Sequence, residues 1–60
     1  MNRTIVCYEI DGRLYFDDLA DFNIIKYKAD NIKVLESKYC FGERKEKEFK
    51  EQCNLKYMNP

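Results

Sequence analysis

Apolar residues near the start of the chain fall in two short runs, TIVCYEI and RLYF, on either side of Asp11-Gly12. That pattern predicts a two-residue hairpin with a type I′ turn. Both central residues of such a turn need positive φ, which Gly adopts freely and Asp tolerates. The register follows: Ile10 opposite Arg13, Glu9 opposite Leu14, Tyr8 opposite Tyr15, Cys7 opposite Phe16 and Val6 opposite Asp17. Paired residues share a face. One face then holds Ile5, Cys7, Leu14 and Phe16, with Glu9 and Asp18 at its ends, and reads as core. The other holds Val6, Tyr8, Ile10 and Tyr15, with Arg13 and Asp17, and is amphipathic. The first strand is apolar on both faces, so it is expected in the middle of a sheet; the second is less so and is expected at an edge.

Past the hairpin the period changes. Leu19, Phe22, Ile25 and Ala29 recur at steps of three and four, which predicts a helix over residues 18–29 with Asp17 or Asp18 as N-cap and Asp21 favoured by the dipole. Asn23, Ile24 and Ile25 are indifferent helix formers and weaken it. Asp30-Asn31 is a turn pair. Residues 32–41 then read as a strand, with Leu35, Ser37, Tyr39 and Phe41 on one side and Ile32, Val34, Glu36, Lys38 and Cys40 on the other. Gly42 breaks the run. Residues 43–57 form a second, charged helix whose apolar stripe is Phe49, Cys53 and Tyr57. The predicted fold is α+β: one small β-β-α-β-α domain over residues 1–60, with two helices on a three-stranded, mainly antiparallel sheet of order 2-1-3. The helical crossover from the second strand to the third is right-handed by default.

Size and charge narrow the function. Sixty residues bury only about 60% of the unfolded surface, so stability is marginal without help from a partner or a second copy. Eleven basic residues balance eleven acidic ones, unlike the basic excess of a nucleic-acid binder. No apolar run reaches the ~18–20 residues of a membrane span, and the first ten residues do not resemble a signal peptide. Three widely spaced cysteines, Cys7, Cys40 and Cys53, read as reduced thiols, with Cys7 and Cys53 packed in the core and Cys40 more exposed. A cytoplasmic location is expected. Ile, Lys, Asn and Tyr supply 23 residues; their A/T-rich codons fit a phage or mobile-element gene.

The chain has no histidine and no nucleophile motif, so catalysis is not expected and no catalytic residue is assigned. The thiols lack the C-x₂₋₄-C spacing of a zinc site. A half-match of residues 7–18 to a calcium loop fails at its first position, Cys7. Neither a metal nor a cofactor is expected. Glu9, Asp17, Asp18 and Asp21 cap a helix and guard an edge, or dock on a basic groove. Tyrosine suits protein interfaces, and Tyr8 and Tyr15 form the best candidate patch unless the last helix covers them. The partner-binding set is therefore Tyr8, Arg13, Tyr15, Asp17, Asp18 and Asp21.

The expected function is a small non-catalytic, phage- or mobile-element-encoded inhibitor. It would bind a host protein in the host cytoplasm and block it by occupying its surface. A defence nuclease such as a CRISPR effector, or the transcription machinery, is the expected target. The rival is a small dimeric nucleic-acid-binding regulator, resting on Lys26, Lys28, Lys33 and Lys38 around Tyr27 and Tyr39. A structural homodimer is a third reading.

Overall fold

The computed structural model of this chain describes residues 1–58. The first strand, β1 (Asn2–Ile10), turns at Asp11 (φ 51°) and Gly12 (φ 83°) into β2 (Arg13–Asp18). Both positive φ values are those a type I′ turn requires. The pairing from Ile10–Arg13 to Val6–Asp17 is the one predicted, with Ile5 opposite Asp18 added. β1 begins earlier than the apolar run suggests: Asn2 and Arg3 pair with Phe41 and Cys40 of the third strand.

Helix α1 (Leu19–Ile25) follows at once, with the Asp21 N–H donating to Asp18 Oδ1 at 2.8 Å. It stops well short of residue 29. Tyr27 and Lys28 donate to the carbonyls three residues back, Ile24 and Ile25, the tightened last turn with which α-helices commonly end. The β-branched pair Ile24-Ile25 gives little reason to continue. Lys26 and Lys28 therefore lie outside the helix. Asn31 at φ 65° makes the turn into β3 (Lys33–Phe41).

β3 runs antiparallel to β1, and the sheet order is β2-β1-β3. Its alternation is broken once. Cys7 pairs with Glu36 but Tyr8 pairs with Val34, which leaves Leu35 as a bulge. A bulge puts two residues against one and resets the faces. Leu35 consequently packs with Cys7 and Phe49, whereas Tyr39 and Phe41 stay on the opposite face. Strict alternation groups Leu35 with Tyr39 and Phe41; the bulge overturns that grouping. Val34 likewise joins the face of Tyr8 instead of that of Glu36.

Gly42 (φ 88°) leads into α2 (Glu43–Cys53), which gives way to a π-helical turn, Asn54–Met58, instead of running on as α-helix to residue 57. The helices take opposite faces. α2 covers Ile5, Cys7 and Cys40 with Phe49 and Cys53. α1 covers Val6 and Tyr8 with Phe22. β1, buried on both sides from Ile5 to Tyr8, is the centre of the molecule.

Candidate functional site

The hairpin face reads differently in three dimensions. Tyr8 is only 2% exposed. Its ring stacks on Tyr15 at 5.6 Å and meets Phe22 at 5.1 Å, and its hydroxyl donates to Asp17 Oδ2 at 2.5 Å. Burial, and then the Asp17 carboxylate, hold the Tyr8 hydroxyl above the ordinary tyrosine range. Tyr8 is therefore a core residue with a satisfied hydroxyl and offers no contact surface. It is covered by α1, not by the last helix. Asp17 and Asp18 also have structural partners. Asp18 caps α1 and accepts from Arg3 Nη1 at 3.2 Å. Of the six candidates, Arg13, Tyr15 and Asp21 remain exposed.

The α2 face carries two polar assemblies that connect distant parts of the chain. Arg3 Nη2 and Nε reach Glu46 Oε1 and Oε2 at 2.9 and 3.0 Å, a fork-to-fork pair. Glu46 is 5% exposed, and its charge is tolerable only because Arg3 answers it. The pair holds Glu46 below the usual carboxylate range and Arg3 above its own. Neither residue stands out in a one-dimensional reading, because 43 positions separate them. Lys56 Nζ and Tyr57 Oη both donate to Glu36 Oε2, at 2.8 and 2.6 Å. Lys56, and then Tyr57, lower the Glu36 carboxyl; Tyr57 is raised in return.

Cys7, Cys40 and Cys53 lie in one cluster, all buried and free. Cys40, expected to be more exposed, is sealed beneath α2. Burial drives all three thiols upward, Cys7 to about 12. High-pKa buried thiols are poor nucleophiles. Among the described residues, no group of three His, Cys, Asp or Glu side chains stands ready to hold a metal ion. A cleft of about 180 Å³ between the hairpin end and the π turn is lined by Glu9, Leu14, Lys33, Leu35 and Tyr57, among others. It is smaller than the ~300 Å³ at which ligand pockets usually begin.

Exposed apolar side chains also lie on the sheet face that α1 leaves open. α1 sits over β1 and β2, and β3 is left bare on that side. Val34 is 54% exposed, Tyr39 51% and Phe41 66%. The rings of Tyr39 and Phe41 meet edge to face at 5.0 Å. Sequence periodicity placed these two rings on one side of a strand, but only the position of α1 decides that they face solvent. Lys33 and Lys38, opposite Glu9 and Ile5, project to the α2 face, away from Tyr39. Lys26 and Tyr27 lie in the turn after α1. The lysines and tyrosines of the nucleic-acid reading therefore do not form one strip.

The fold is that of a small α+β domain with three antiparallel strands and two helices. No family model, no curated protein and no solved structure matches the chain. No helix among the described residues is long and apolar enough to cross a membrane.

Proposed function

We propose that this chain is a non-catalytic binding protein that acts by occupying the surface of a larger protein, with the bare face of β3 as its principal contact. The observation that carries the reading is the exposure of Tyr39 and Phe41, packed edge to face, with exposed Val34 further along the same face beyond Ser37. Contiguous apolar exposure rimmed by polar residues marks interaction sites, and aromatic anchors supply much of the energy at protein interfaces. Arg13, Tyr15 and Asp21 form a second, polar contact at the hairpin end. The small size and A/T-biased composition support a phage or mobile-element inhibitor of a host defence nuclease or of host transcription.

Affinity capture from a bacterial host lysate tests this, with wild type and Phe41→Asp immobilised in parallel. One stoichiometric protein is expected on the wild type and is lost on the variant, and its activity falls when wild-type chain is added. Recovery of no such protein, or equal retention by Phe41→Asp, overturns the reading. The nucleic-acid alternative would instead show binding that weakens steeply with salt.

A further inference from the structure

We propose that the outer edge of β3 pairs antiparallel with β3 of a second copy of this chain, about a two-fold axis at Ser37. The sheet order leaves β3 at a margin, and among the described residues no strand pairs with its outer side. It is nine residues long, with most of its side chains exposed. A free edge of that length presents a row of unpaired backbone donors and acceptors, which is the template for strand addition.

The charge pattern selects both the occupant and the register. With the axis at Ser37, Glu36 of each copy stands opposite Lys38 of the other, so symmetry makes two opposite-charge pairs. Moving one copy by two residues sets Lys38 against Lys38 in one direction and Glu36 against Glu36 in the other. Moving it by one residue places side chains on opposite faces. Glu36 and Lys38 share the α2 face. Lys56 and Tyr57 both use Glu36 Oε2, so Oε1 is left to accept from Lys38 of the second copy. Among the described residues Lys38 has no carboxylate partner. On the other face the bulge at Leu35 brings Val34 of one copy toward Tyr39 of the other, so the exposed apolar side chains continue across the junction. An edge lysine ordinarily blocks strand addition; here the second copy supplies its counter-charge. The inference does not depend on the host-partner reading.

Sedimentation velocity on the full chain tests it, with Lys38→Glu and Ser37→Cys as variants. The wild type is expected to pass from monomer to dimer as concentration rises through the micromolar range. Lys38→Glu turns both cross-strand pairs repulsive and is expected to weaken the dimer about tenfold or more, with an unchanged circular dichroism spectrum. Ser37→Cys is expected to give a disulfide-linked dimer on mild oxidation, because the introduced thiols face each other at the axis while the native thiols are buried. A wild type that stays monomeric throughout overturns the proposal. A dimer that Ser37→Cys fails to cross-link, or that Lys38→Glu leaves as tight, overturns the β3 pairing.

Discussion

Arg3 and Glu46 carry more of the fold than their places in the sequence suggest. One lies near the start of β1, the other in the first turns of α2, and their fork joins the two elements. Removing Arg3 leaves Glu46 buried without a counter-charge, and a stranded buried charge costs more than the pair contributed. Arg3→Ala is expected to be destabilised at pH 7, and the gap from wild type to narrow in acid. The sign follows from the lowered carboxyl of Glu46, whose first cause is Arg3. Its contribution is complete above the unfolded carboxylate value, about 4.3, and is lost as pH falls through the folded value. Urea denaturation of both proteins across pH 7 to 3 reads this directly. The thiols act at the other end of the scale. Their folded values all lie above the unfolded ones, chiefly through burial. For Cys7 the contribution is complete below the unfolded value, near 9, and drains away as pH rises toward 12. In the native state at neutral pH all three are expected to resist a thiol-specific dye, and to react together once denaturant is added.

At the scale of elements, two glycines and one ring set the limits. Gly12 and Gly42 both have φ near +85°, with open space where a Cβ would sit. An alanine at either position meets no steric neighbour and bears only the left-handed backbone penalty. Gly12→Ala is expected to lose about 1–2 kcal/mol in denaturant unfolding while keeping the hairpin register. Phe49 is different in kind. It fills the space between α2 and the sheet, with the Phe16 ring edge-on at 6.5 Å. Phe49→Ala is expected to cost about 3–5 kcal/mol. That is most of what a domain this small possesses, so the variant should show little cooperative unfolding by calorimetry. α1 is the weaker cover. It has seven residues and buries one large side chain, Phe22, so its amides are expected to exchange with solvent before those of β1.

For the molecule as a whole, the helices share the sheet unequally. α2 closes one face. α1 closes only the β1–β2 part of the other and leaves the β3 part to solvent. The same strand is exposed along its outer edge. A 60-residue chain with its apolar face and strand edge at one margin has more to gain from association than from further internal packing. The host-protein and second-copy proposals both arise from that margin, yet separate experimentally. Phe41→Asp acts on the apolar face and Lys38→Glu on the charged pairs of the edge; Lys38→Glu is expected to weaken the dimer while keeping the host-protein contact, which lysate capture and sedimentation read separately.

The sequence alone determined the hairpin, its register and the central position of β1. These depend on neighbours in the chain: positive φ at Asp11-Gly12, and alternation on either side of it. It also narrowed the helix cap to Asp17 or Asp18, of which the structure uses Asp18, and it marked the turn at Asp30-Asn31, both local in the same sense. The tertiary structure decided what local chemistry does not encode. Where α1 ends, which face each helix covers, the bulge at Leu35 and the Arg3–Glu46 fork all depend on residues far apart in sequence meeting in space. The candidate site moved for that reason. Tyr8 and Tyr39 are both tyrosines on alternating strands, indistinguishable by pattern. One is core and the other surface because a seven-residue helix reaches across two strands and not the third.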